Sequence, residues 1–513
     1  MKLGRVLCAM LVALSACQAV TPNLTGTPPD PPAPTGTSVR TAPPLLNGTQ
    51  PPAQDECAGN CFYFDSLAGS DANPGTAPDV PWQSLDMLHA QTFPPGSVIH
   101  FRRGSRFDGG LMIDDPGTED APIRFTAYGE GQPPIFENRG TDFGRAISIH
   151  ANWIVVENFL VREAMEAGIY VAEGAYYNVI RNNEITAVGE GLKIHGSYNL
   201  ITGNAIHDLR MVVNTPGGDD DYGAVGIWLF AGDNEVAYNR IVNCKAESFD
   251  YGADGGAVEV WANPGVAADN NYIHHNYAQG NKGFSEFGGR GGSSRNTVIA
   301  YNVMVDNDRP LSIHMGGTFA IEVEGLLFEN NTVVDTREAD TFTAFTFTNG
   351  APTPQTLNIR NNIFWFGNYQ KFTLQATNGF AHSHNLYYFK NPKTLLNIEL
   401  GEGERMGNPF FVNLTAFDLR LASGSPAVDA GLDLGYAADF DGNPVPQGSA
   451  PDLGAYEFVK SQITWSADFS LKFHRLKRTK VRTPEQNRNL LELSEIYDPV
   501  FDRIFAPAAP AVI

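Results

Sequence analysis

Residues 178–185 read NVIRNNEI, and six later segments repeat their form. These are NLITGNAI at 199–206, NEVAYNRI at 234–241, NYIHHNYA at 271–278, TVIAYNVM at 297–304, LLFENNTV at 326–333 and LNIRNNIF at 357–364. Each is a run of alternating apolar positions, then an asparagine, then more apolar residues. Alternation at period two marks a strand. Aligned on the asparagine, the series is Asn183, Asn204, Asn239, Asn276, Asn302, Asn331 and Asn362, with spacings of 21, 35, 37, 26, 29 and 31 residues. Strand-rich, irregular repeats of this length, punctuated by Asn and Gly, predict an all-β solenoid. The recurring asparagine is expected to stack on its copies, its amide bonding the coils above and below. The leucine spacing of a leucine-rich repeat is absent.

The repeat resembles that of the right-handed parallel β-helix proteins of the pectate-lyase-like superfamily. Two flanking segments carry the same resemblance. The entry, FYFDSLAGSDANPGTAPDVPWQSLDML with PPGSVIHFRRGSRFDGG and PIRFTAYGEGQPPIF, is similar to the start of many exported β-helix proteins. The exit, NPFFVNLTAFDLRLASGSPAVDAG with DFDGNPVPQGSAPDLGAYEF, is similar to their usual ending. The resemblance implies one right-handed, single-stranded parallel β-helix over residues 56–458. For activity it leaves lyases, hydrolases, epimerases and non-catalytic adhesins open. The clustered aspartates with downstream HG and RIK of polygalacturonases are missing, as is the DPHD segment of alginate epimerases and the strand motifs of the main pectate lyases. No catalytic residue therefore carries over by motif.

The chain of 513 residues is too long for one ordinary compact domain unless it is elongated. Its formal charge of −22 argues against nucleic acid as a partner, since phosphate binding needs a basic footprint. At the N-terminus, Lys2 and Arg5 precede a short apolar run from Val6 to Leu14, the pattern of an export signal. It closes on Leu14-Ser15-Ala16-Cys17, which resembles a bacterial lipobox and implies lipidation of Cys17. Residues 18–55 hold ten prolines and seven threonines and cannot bury a core, so they read as an extended tether. The expected product is an exported, lipid-anchored, monomeric protein of the cell envelope. In an exported chain Cys57 and Cys61 favour a disulfide across the CAGNC loop; two free thiols or half a metal site are the alternatives. Cys244 reads as a small buried hydrophobe. The last segment, 459–513, carries nine Lys/Arg against six Asp/Glu and turns helix-like after Pro484.

Register points to a site. From the aligned asparagine to the first inward residue of the next strand is nine residues for Asn183, Asn276 and Asn302, but 23 for Asn204 and 19 for Asn239. Two consecutive coils thus carry insertions at one point, and long loops on a rigid scaffold wall functional clefts. Beside them, one outward row reads Lys193, Trp228, Glu259, Glu286, Ser312, and the next reads His195, Phe230, Trp261, Gly288, His314. Glu259 and Glu286 fall on adjacent rungs, about 4.8 Å apart, so one pKa should rise. Such a pair divides acid and base roles in glycosidases. Trp228 and Trp261 offer flat faces to a sugar, with Lys193 and Arg309 as substrate contacts and His314 as a third catalytic group. No cofactor is demanded; Ca²⁺ is the ion the carboxylates would take, with Asp250, Asp254 or Asp219 to Asp221 as ligands. Of the adjacent histidines His274 and His275, one is expected to face into the coil.

These features favour a surface enzyme cleaving glycosidic bonds in a polysaccharide, by hydrolysis on the economy of the carboxyl pair. A Ca²⁺-dependent lyase and a non-catalytic glycan-binding solenoid stand as the alternatives.

Overall fold

The computed structural model describes residues 59–140, 144–373, 379–394 and 396–460. The lipobox with Cys17, the tether 18–55, Cys57 and the tail beyond 460 lie outside the described residues. Cys61 is disulfide-bonded.

Three parallel sheets of 12, 9 and 12 strands wrap one core. Each coil contributes one strand to each sheet, as in Val179–Arg181, Glu184–Thr186 and Glu190–Ile194, before the next coil begins at Leu200–Thr202. Every strand in these sheets pairs in parallel with the strand one coil away. Inward positions are apolar and fully buried: Leu192 and Ile194, Ile227 and Leu229, Val258 and Val260, Leu311 and Ile313. Alternation sends the residues between them outward. The first coils use a different filling. Phe64, Phe101, Phe136 and Phe159 pack ring against ring there, under the short helix Leu85–His89.

The asparagine ladder forms as the spacing implies. Asn204 donates its backbone N–H and its Nδ2 to Asn239 Oδ1, each at 3.0 Å, and Nδ2 also reaches Ile180 O at 2.9 Å. The pattern repeats through Asn276, Asn302, Asn331 and Asn362, and ends on Asn385. Two further ladders escape the sequence reading. Asn178, Asn199, Asn234 and Asn271 run along a second corner. Asn281 and Asn307 run along a third, where Cys244 donates its backbone N–H to Asn281 Oδ1. Corner backbones turn away from the sheet ladder, and buried side-chain amides supply the partners they lose. Cys244 itself is buried and free.

The exit segment folds back along the outside of the coils. Tyr436 donates its hydroxyl to Glu329, and Gly454 donates its backbone N–H to Asn361 O. This settles the two histidines differently from expectation. Ile273 takes the inward position, and both His274 and His275 lie outside the coil. They are buried nonetheless: His275 sits beneath the exit segment, with Nε2 3.1 Å from Asp439 O, and His274 Nδ1 lies 2.8 Å from His275 Nδ1.

Candidate active site

The nine-stranded sheet carries the candidate site. Pairing sets Lys193 beside Trp228, Trp228 beside Glu259, Glu259 beside Glu286 and Glu286 beside Ser312, so five successive rungs present one outward row. The two insertions fold as hairpins above this row. One pairs Met211–Val213 with Tyr222–Gly223, and the other pairs Ala246–Ser248 with Gly252–Asp254. Between hairpins and sheet lies a cleft of about 830 Å³. It is lined by Glu259, Glu286, His314, Trp228, Trp261 and Arg309, together with hairpin residues that include Tyr222, Tyr251 and Asp254.

Although Glu259 faces out of the coil, it is only 6% exposed. Its carboxyl packs back over Gly256, where a Cβ would lie 2.8 Å from Oε1. Among the described residues that carboxyl has no hydrogen-bond donor or cation bound to it. Burial pushes its pKa well above the usual carboxylate range, and the charges of Glu286, Asp254 and Glu190 push it further. Glu286 differs. Its side chain is 34% exposed, and His314 Nε2 lies 2.8 Å from its Oε1. Adjacent rungs therefore hold a desolvated carboxyl and a hydrogen-bonded, half-exposed one. Asp254, at the end of the second hairpin, is a third acid in the cleft; burial, and secondarily Glu286, raise its pKa to about 6.

Aromatic rings build the walls. Trp228 meets Trp261 edge to face at 5.7 Å, and Trp261 meets Phe319 at 5.7 Å and His314 at 6.4 Å. Gly288 leaves no free space beside Glu286. The Trp261 ring lies over it, and a Cβ there would come within 2.4 Å of Cζ3.

Lys193 lies under this wall. It is held between Glu166 and Glu190 at 3.1 Å each, with Trp228 5.4 Å above it. Burial opposes its charge, but Glu190 and Glu166 prevail and hold its pKa above the ordinary lysine value. Glu190 is fully buried, and burial pushes it up to about 7. His195 stacks on Phe230 at 4.3 Å, away from the carboxyl pair. Asp250 and Asp254 part company. Asp250 joins Asp220 and Asp221, with ligand-type oxygens within 4.8 Å of one another. That group is already engaged in pinning the hairpins together: Asp221 accepts from Thr215 N at 2.7 Å, Ser248 Oγ at 2.7 Å and Asp250 N at 3.0 Å. Sequence reasoning passed over Lys282, Arg290, Tyr222 and Phe319, all of which line the cleft. Lys282, Arg290 and Phe319 lie in turns and bends, and Tyr222 in an inserted hairpin, where the register of the coils fixes no direction.

A family model described as "Right handed beta helix region" matches residues 145–253. A lacto-N-biosidase of Bifidobacterium longum subsp. longum is 41% identical over 88 residues, 16% of this chain and 6% of that protein, so the likeness spans a small part of the relative's length. The crystal structure of a pectate lyase, Pel9A, superposes with a TM-score of 0.52 at 17% identity, over 78% of this chain and 97% of that one. A lacto-N-biosidase of family GH136 from Eubacterium ramulus superposes with a TM-score of 0.40 at 14% identity, over 66% and 68% of the two chains. The fold is that of a right-handed parallel β-helix.

Proposed function

We propose that this protein is a carbohydrate-active enzyme that hydrolyses glycosidic bonds in a glycan lying along the cleft. The observation that carries the reading is the unlike carboxyl pair, with Glu259 buried and Glu286 half-exposed on the neighbouring rung, floored and walled by Trp228 and Trp261. Strand spacing of about 4.8 Å suits the separation of about 5–5.5 Å at which a carboxyl pair works with retention.

In this reading Glu259, kept protonated by burial, gives its proton to the leaving glycosidic oxygen. Glu286 attacks the anomeric carbon as that bond breaks and forms a glycosyl ester. Glu259, now ionised, takes a proton from water, which hydrolyses the ester and restores both groups. His314 holds the Glu286 carboxylate in line through its Nε2 contact. The short stretch of 41% identity to a lacto-N-biosidase supports a glycosidase over a lyase. The export pattern and lipobox at Cys17 support action at the cell envelope.

The test incubates the protein with a panel of neutral and uronic-acid polysaccharides. New reducing ends are scored together with ultraviolet absorbance from unsaturated sugars. Reducing ends without absorbance, absent from a Glu259→Gln/Glu286→Gln double variant, are the expected result. Absorbance rising with the reducing ends sinks hydrolysis in favour of elimination, and no product from any glycan sinks the enzyme reading.

A further inference from the structure

The chain holds 57 Asp and Glu against 35 Lys and Arg. Amid that excess, most cations on the coils find carboxylates: Arg145 binds Glu166, Arg181 binds Glu157 and Arg360 binds Glu329. Three cations that line the cleft do not. Lys282, Arg290 and Arg309 make no ion pair or side-chain hydrogen bond among the described residues; Arg290 is exposed, whereas Lys282 and Arg309 are only partly so. Of the two acids whose charges reach Lys282, Asp308 is bound by Lys245 at 2.7 Å and by Arg337 at 2.8 Å, and Asp254 makes no ion pair with it. Lys282 stands near Arg309 instead, and burial together with that neighbouring charge pulls its pKa below the ordinary lysine value. Holding two like charges together, partly desolvated and without a counterion, costs free energy that a bound anion would return. The same cleft carries Glu286 and Asp254, whose charges repel an anion from the carboxyl pair itself.

From this juxtaposition we infer that the cleft takes a glycan bearing an anionic substituent, a carboxylate, sulfate or phosphate ester, seated on Lys282 and Arg309. The inference rests on the cleft being a glycan site, as proposed above. Attraction at the cation pair and repulsion at the acid pair together fix the register of the chain, so that the charged group lies off the scissile bond. Arginine supplies a two-pronged donor to any of these anions and lysine a point charge.

The test measures binding without turnover, in full-length protein carrying Glu259→Gln, by tryptophan fluorescence at fixed ionic strength. The probes are oligogalacturonates, sulfated galactan oligosaccharides and phosphorylated mannan oligosaccharides, each beside its methyl-esterified, desulfated or dephosphorylated counterpart. At least one acidic probe should bind ten-fold or more tightly than its neutral counterpart, and the probe that does so identifies the anion. Lys282→Gln/Arg309→Gln should abolish that preference, weakening the acidic probe at least ten-fold more than its neutral counterpart. The charge-keeping Lys282→Arg and Arg309→Lys should retain it in part and guard against misfolding. Neutral probes binding as well as all acidic ones, no probe binding, or a preference that survives the double variant would overturn the inference. Acidic binding with no cleavage of any glycan keeps it and sinks hydrolysis; cleavage and binding of neutral glycans alone does the reverse.

Discussion

Asn276→Ala tests whether the buried amide ladder holds the coils in register. The Asn276 side chain donates from Nδ2 to Val236 O at 2.8 Å, His274 O at 2.9 Å and Asn302 Oδ1 at 3.0 Å. Its Oδ1 accepts the backbone N–H and the Nδ2 of Asn239, both at 3.0 Å. Alanine removes all five. His274 O keeps a contact from the Tyr238 N–H, and Asn239 Nδ2 keeps Ile201 O. The Asn239 backbone N–H is left buried without its acceptor. An orphaned buried donor costs about 1–3 kcal/mol, and the lost bonds to Val236 O and Asn302 Oδ1 about 1 kcal/mol net each. A loss of about 3–5 kcal/mol follows. Asn270→Gly is the matched control. Asn270 sits at φ +58°, which glycine adopts freely, and its amide bonds only exposed partners, Asp233 at 3.0 Å and Asn296 at 3.3 Å. That change should cost under about 1 kcal/mol. Urea unfolding followed by circular dichroism, at matched transition slopes, measures both. Equal shifts in the two variants would refute the ladder as a stabilising element.

Three shorter predictions concern the cleft. Glu259 has a raised folded-state pKa, so the folded protein binds the extra proton and loses stability as pH rises from the unfolded carboxyl value through the folded one. Glu259→Gln should therefore match wild type near pH 4 and exceed its melting temperature increasingly above that; an unchanged difference across pH would contradict the buried neutral acid. Burial is the first cause of the Glu259 shift, with Glu286 and Asp254 next. Asp254→Asn should accordingly move the alkaline limb of kcat/KM to lower pH, and a limb that stays or rises would count against Glu259 as the acid. Gly288→Ala forces Trp261 off its seat, since the new Cβ would lie 2.4 Å from the ring. KM should rise several-fold with the melting temperature little changed; an unchanged KM would remove Trp261 from the binding wall.

How much of this was legible in the sequence follows from what fixes each feature. Along a solenoid one coil constrains the next, so alternation and the Asn183 series set the register of strand after strand, and the row from Lys193 to Ser312 could be counted. Insertions were visible for the same reason, as departures from a count of nine. Burial was not. Glu259 occupies an outward position, yet it is buried in the cleft beneath the inserted hairpins, and no period reports that covering. The ladder at Asn178 stayed unread because its members open the repeat segments, where they pass for ordinary turn residues. His274 and His275 were misplaced because the covering chain comes from Tyr436 to Phe440, more than 150 residues away. Asp250 and Asp254 end up apart for a local reason: both sit on the second hairpin, one at its turn and one where it rejoins the sheet.

The central claim is that Glu259 and Glu286 together break a glycosidic bond. Turnover by Glu259→Gln and by Glu286→Gln, measured beside wild type on the glycan that the panel identifies, tests it most directly. Each variant should lose at least a thousand-fold in kcat while KM stays within a few-fold, because amide replacement removes the proton donor in one and the nucleophile in the other without emptying the cleft. Retention of a tenth or more of wild-type kcat by either variant would contradict the claim.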